Sequence, residues 1–195
     1  TVVLISNWAL ILQATSSHVI AARRKGWSLP ALDDFHEESY VAGEDAGLPR
    51  PVFEVNGLSA WWMERGDSST KLNQVSLDGL FLLTAPNMSG KSTIMRSVLA
   101  AALLANAGLF VPCDEGARIP AYDSFFLRTS SYDVPSEGKS SFALEMDDMR
   151  VVLRDSTTRS LVMSDELGRG TSSKDGSALS SAILESLDAT HVNGI

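Results

Sequence analysis

The stretch Leu80-Phe81-Leu82-Leu83-Thr84-Ala85-Pro86-Asn87-Met88-Ser89-Gly90-Lys91-Ser92-Thr93 decides how the rest of the chain is read. Leu80 to Thr84 is a short continuous apolar run, as expected of a strand buried on both faces. Lys91 to Ala105 is rich in Ala and Leu and free of breakers, so it reads as a helix. A strand, a turn with Gly90, and a helix opening on Lys91-Ser92 form the context of a phosphate loop. The residue types suit that chemistry. Loop and helix-start N–H groups supply clustered donors for a triphosphate. Gly90 lets the backbone approach phosphate with no Cβ in the way. Lys91 suits the β- and γ-phosphates, and the Ser92 hydroxyl suits Mg²⁺. Ala85 stands where glycine is commoner.

Toward the C-terminus, Ser160-Leu161-Val162-Met163-Ser164 reads as a second buried strand and ends in Asp165-Glu166. Carboxylates at the C-terminal end of a parallel strand face the crevice where ligands bind. Asp165 is the candidate for holding Mg²⁺, and Glu166 for orienting and deprotonating a water. Leu167-Gly168-Arg169-Gly170-Thr171-Ser172 follows as a small-residue loop. Phe142, Met146, Met149 and Leu153 recur at helical spacing and predict one apolar stripe. Ala178 to Leu187 predicts a further helix. Strands alternating with helices imply an α/β fold with a mostly parallel sheet flanked by helices.

Toward the N-terminus, residues 29–58 read as an acidic linker broken by Pro30, Pro49 and Pro51, within which Val52-Phe53-Glu54-Val55 alternates like a strand. Trp61 to Arg65 is expected to form another, closed by Gly66-Asp67. Residues 1–28 predict a buried helix, with Arg23-Arg24-Lys25 near its C-terminal end compensating the helix dipole and Gly26 as its stop. The apolar run 2–12 lacks a basic leader region and a cleavage site, and is too short for a membrane helix of about 20 residues.

Composition bounds the function. The 195 residues carry 44% hydrophobic and 21% charged side chains, which excludes disorder as the main state. The single Cys113 excludes an internal disulfide framework and fits a reducing compartment. Sixteen basic against 24 acidic residues leave a net charge of −8, which argues against a nucleic-acid surface within these residues. With no initiating Met and a polar end at Ile195, the chain is expected to be a piece of a longer protein.

Three stretches together resemble the MutS family of DNA mismatch repair ATPases: Asn87 to Thr93, Asp165 to Ser172, and between them Gly138-Lys139-Ser140-Ser141-Phe142 with Glu145-Met146. Val111-Pro112 agrees. The likeness covers about residues 72–195. Arg23 to Pro30, Ser131-Tyr132-Asp133 and Glu185 to Asp188 are similar to the plant-type organellar branch. The resemblance implies a P-loop NTPase fold of ABC type over residues 49–195, incomplete at its C-terminal end, behind a helical connector and acidic linker at 1–48. It implies ATP and Mg²⁺ as ligands. The phosphates would lie on Ala85, Pro86, Asn87, Met88, Ser89, Gly90, Lys91, Ser92 and Thr93, the metal on Ser92 and Asp165, and catalysis would fall to Glu166 and Lys91. It further implies a homo- or heterodimer of MutS-like subunits in which Ser140 reaches the partner's γ-phosphate. Mismatched double-stranded DNA would be contacted by domains outside these residues, with no membrane involved. The location implied is intracellular, in mitochondrion or plastid, with the nucleus as alternative.

The chain departs from the family's pattern in three places. Ala85 and Ser89 stand where glycine is common. The family's adenine-stacking aromatic would fall near Thr70, just before Asn73-Gln74. Trp61 or Trp62 could substitute, although both read first as core or interface tryptophans. The family's switch histidine is expected beyond Ile195; His191 comes too early and reads as a surface residue. Two other readings stay open. One is an ABC-type ATPase of chromosome maintenance or transport, disfavoured by the motif order and by the absence of a Leu-Ser-Gly-Gly-Gln signature. The other is a nucleotide-gated dimerisation module without useful turnover.

Overall fold

The computed structural model describes residues 2–34, 51–86, 88–129, 141–169 and 171–195. In chain order the elements are α1 (Val2–Lys25), β1 (Ala31–Asp33), β2 (Phe53–Leu58), β3 (Asn73–Leu77), α2 (Lys91–Asn106), β4 (Arg118–Pro120), β5 (Ser124–Arg128), α3 (Ser141–Asp155), β6 (Ser160–Ser164), α4 (Ser173–Ala189) and β7 (Asn193–Gly194). They fall into two compact units, one of residues 1–76 with 96–121 and one of residues 77–95 with 122–195.

The first unit carries a four-stranded sheet in the order β1-β4-β2-β3. This sheet is mixed: β1 runs parallel to β4, and β2 runs antiparallel to it. The alternation in β2 buries Phe53 and Val55, and Leu58, out of step with it after Gly57 at φ +63°, is buried too. The predicted strand at Trp61 to Arg65 is instead a run of turns. Met63 N–H bonds Ala60 O, and Thr70 donates its hydroxyl to Glu64 O, so the chain curls on itself, with a single isolated bridge from Arg65 to Asp67.

Helix α1 also differs from expectation. Its C-terminal end behaves as predicted. Arg23, Arg24 and Lys25 occupy the last turn, Gly26 takes φ +64°, and Trp27 N–H caps Ala22 O. That end is anchored by His18 Nε2 on Phe110 O and by Lys25 on Glu64. Yet Ala22 is its one buried residue, and Val2, Ile5, Trp8 and Leu12 stand exposed. An apolar helix is buried only where another element covers it, and among the described residues none covers this one. The run 2–12 belongs to a 24-residue helix, which by length and composition alone could cross a membrane.

The second unit holds the parallel sheet that the alternating pattern predicts. Strands β5, β6 and β7 lie side by side, with Ser124 to Arg128 facing Ser160 to Ser164 residue for residue. Central β6 is buried from Ser160 to Met163. The predicted strand Leu80 to Thr84 reduces to one parallel bridge, Leu80 to Gly194, flanked by Phe81 N–H on Gly194 O. Leu82, two residues on, stands exposed. Helices α3 and α4 pack against the sheet through Met149, Val152, Ile183 and Leu187, which join Val162 and Val192 in one cluster. The deepest face of α3 is Glu145, Met149 and Val152. The predicted stripe is therefore rotated: of its members Met149 is deepest, and Leu153 is partly exposed beside α4.

Truncating Met149 leaves a cavity between a strand and two helices. Met149→Ala is expected to cost about 2–5 kcal/mol in urea denaturation. Val151→Ala, on the exposed side of the same helix, is expected to cost under about 0.5 kcal/mol.

Candidate active site

The site is built where the second unit's strands end. The turn before α2 holds two residues in the left-handed region, Met88 at φ +63° and Gly90 at φ +99°. Ser89 N–H bonds Pro86 O, and Ile94 N–H bonds Gly90 O, so Gly90 caps the first turn of α2. A Cβ on Gly90 would meet nothing within 4 Å. Glycine is needed there for its backbone angle, and the space before the loop is open. No acidic side chain lies in the first turn of α2 to neutralise its N–H groups.

The structure brings the loop and the acidic pair together. Ser92 Oγ donates to Asp165 Oδ2 at 3.2 Å, across 73 residues of sequence. Asp165 follows β6, and its N–H bonds Arg128 O at the end of β5. Glu166 comes next at φ +54°, a left-handed angle uncommon in a non-glycine residue. Its carboxylate forms a short ion pair with Arg169. Lys91, Asp165 and Glu166 line one cavity of about 560 Å³, whose other walls include Leu80, Phe81, Leu82 and Leu83. Ala85, Pro86, Met88 and Ser89 lie in the turn, and Thr93 lies in the first turn of α2. Asn87, Ser140 and Gly170 lie outside the described residues.

A hydroxyl and a carboxylate side by side are hard oxygen donors of the kind Mg²⁺ takes. Mg²⁺ uses few protein ligands because it keeps waters and substrate phosphates. No cluster of three or more His, Cys, Asp or Glu side chains is found among the described residues, so a site needing a full protein cage has no support there.

Two predicted features fall elsewhere. Trp61 and Trp62 are not core residues. They are 53% and 43% exposed, stack edge to face at 5.6 Å, and sit in the first unit beside Arg96, Leu99 and Leu103. Asn73 Nδ2 bonds Leu58 O at 3.2 Å, which gives it a structural task. His191 is exposed, as expected, in a turn at φ +57°.

The sequence reading missed a buried pair. Glu145 is 2% exposed and Arg128 is 7% exposed, with Arg128 Nη1 3.5 Å from Glu145 Oε1. Glu145 accepts the Gly168 N–H at 2.6 Å, and Arg128 Nη1 donates to Asp165 O at 3.0 Å. The signal was present: Glu145 lies four residues before Met149, on the face of α3 that the core requires.

The family described as MutS domain V matches residues 81–193, more than half of the chain. The chain belongs to the MutS family. It is 40% identical over 194 residues to the DNA mismatch repair protein MSH1, mitochondrial, of Arabidopsis thaliana, covering 95% of this chain and 17% of that protein. It is 45% identical over 186 residues to the MutS of Lactobacillus delbrueckii, covering 90% of this chain and 22% of that one. The MutS of Thermus thermophilus is 48% identical over 108 residues, 55% of this chain and 13% of that protein. The chain thus spans less than a quarter of these relatives. Residues 85–93, the acidic pair and the small-residue loop after it all lie inside the matched span.

That last loop is held tightly. A Cβ on Gly176, inside α4, would lie 2.4 Å from Gly168 O. Helix propensity alone makes Gly176→Ala stabilising by up to about 1 kcal/mol. The contact reverses the sign: Gly176→Ala is expected to lower the thermal midpoint, because a backbone carbonyl has to move.

Proposed function

We propose that this domain V is a P-loop ATPase of ABC type that binds and hydrolyses Mg²⁺-ATP within a MutS-like mismatch repair protein. The observation that carries the reading is the Ser92–Asp165 hydrogen bond, which joins the loop before α2 to the carboxylates after β6 beside Lys91 and Glu166.

The roles follow from the donor set. Residues 85–93 cradle the phosphates with the backbone N–H groups of all but Pro86, which has none, and with the dipole of α2. Lys91 places its ammonium on the β- and γ-phosphates. Mg²⁺, held by the Ser92 hydroxyl and Asp165, would neutralise phosphate charge. Glu166 accepts a proton from water as the water oxygen bonds the γ-phosphorus. The bond from that phosphorus to the β-phosphate's bridging oxygen breaks, leaving ADP and inorganic phosphate.

The wider assignment rests on the relatives. Mismatched double-stranded DNA would be read by parts of the protein outside these residues, which agrees with a charge of −8 here. Two MutS-like subunits, identical or different, would close on nucleotide, with Ser140 directed to the partner's site. The relative named mitochondrial supports an intracellular location in mitochondrion or plastid, the nucleus being the alternative. No membrane partner is proposed, since α1 is anchored at its C-terminal end through Ala22, His18 and Lys25.

One observation favours the module without useful turnover: Glu166 is engaged by Arg169. A carboxylate serving a water must first leave that ion pair. Two variants of the intact protein separate the readings. Lys91→Ala is expected to weaken ATP binding by about 1.5–3 kcal/mol, roughly 10- to 150-fold in Kd. Glu166→Gln is expected to bind ATP normally and to lose about 10²–10⁴-fold in phosphate release. Unchanged release in that variant removes Glu166 from the role of base.

A further inference from the structure

Two charged side chains are buried behind the proposed site without facing its cavity. Arg128 ends β5 and Glu145 lies one turn into α3. Burying an ion pair is costly, and an apolar pair of the same volume is often as stable or more so. The charges therefore call for a reason other than stability, and the contacts supply one.

Arg128 and Asp165 hold each other twice, through Asp165 N–H on Arg128 O and Arg128 Nη1 on Asp165 O, both at 3.0 Å. Glu145 is attracted to the same guanidinium and accepts the Gly168 N–H at 2.6 Å. From the other side, Gly176 presses on Gly168 with no room for a Cβ. Residues 165 and 168 are thus both fixed through their backbones. Glu166 is suspended between them in the left-handed region. The two anchors impose its backbone angle, which is unfavourable unless its surroundings hold it, and so set where its carboxylate starts from, with Arg169 engaging the far end.

We propose that Glu145 and Arg128 are positioning residues for hydrolysis, holding the segment 165–168 so that Asp165 and Glu166 are presented together. The inference rests on the ATPase reading given above. Neither residue is among those lining the cavity. Their loss is expected to act on turnover and to leave nucleotide binding nearly intact.

The test uses the intact protein and two variants. In Glu145→Gln the side chain keeps its shape and one acceptor and loses the charge that faces Arg128. The double variant Arg128→Met/Glu145→Met replaces the pair by apolar chains of similar volume. Each is assayed for kcat by phosphate release, for Kd with a fluorescent ATP analogue, and for thermal midpoint. Both are expected to lose about 10- to 100-fold in kcat, the range seen when groups that orient a reacting centre are removed. Kd should stay within about threefold, since the phosphate-loop contacts are untouched. The double variant should melt no lower than the wild type. Wild-type kcat in both variants overturns the inference alone. A fall of kcat, binding and midpoint together also overturns it, since that marks a merely structural pair. Absence of turnover in the wild-type protein overturns the ATPase reading, and the inference with it.

Discussion

The hydrogen bond from Ser92 to Asp165 is the point on which the second unit turns. A hydroxyl from the first turn of a helix meets a carboxylate from the end of a strand, across 73 residues. The meeting requires β6 to be central and parallel to β5, so that its C-terminal end lies beside α2. It also requires a turn that can place Gly90 in the left-handed region immediately before the helix. Break either condition and the two oxygen donors separate. The apolar cluster of Met149, Val152, Ile183 and Leu187 serves this geometry by seating α3 and α4 on the sheet.

Much of this unit was legible in the sequence, for physical reasons that differ by element. Strand β6 was readable because a strand covered on both faces must be apolar throughout, and Ser160 to Met163 are buried. Helix α2 was readable from composition, since Ala and Leu without breakers leave few alternatives. Leu80 to Thr84 satisfied the same apolar rule and is not a strand over its length. Strand formation needs a paired neighbour as well as apolar residues, and among the described residues Leu80 alone is bridged, to Gly194. Trp61 and Trp62 read as core or interface residues from their size, and their exposure removes the core half of that reading, since hydrophobicity says only that burial is favourable, not that a neighbour exists. On α3 the periodicity located a helix and missed its deepest face, because a buried glutamate is invisible to an apolar count.

The loop and the acidic pair were legible for a different reason. The proposed phosphate chemistry calls for particular residue types just before a helix, and the structure joins that turn to the acidic pair through Ser92 and Asp165. Spacing puts Glu145 on the Met149 face of α3, but it does not reveal which partner that buried carboxylate meets. Arg128 and Glu145 stand 17 residues apart in the chain, and their meeting depends on β5 and α3 being brought to the same strand end. Such partners become visible only when the fold has been assembled.

The net charge of −8 fits this division of labour. A surface that grips DNA needs a basic excess, and these residues have the opposite. In a protein of which this chain covers less than a quarter of the relatives' length, DNA contact and nucleotide chemistry are proposed to reside in different parts. The most direct test is single-turnover phosphate release by the intact protein in excess over ATP, with Mg²⁺ and after chelation. The account predicts that bound ATP is converted to ADP and inorganic phosphate with Mg²⁺ present, and that release stops when the metal is removed. A protein that binds ATP with Mg²⁺ and releases no phosphate would contradict it.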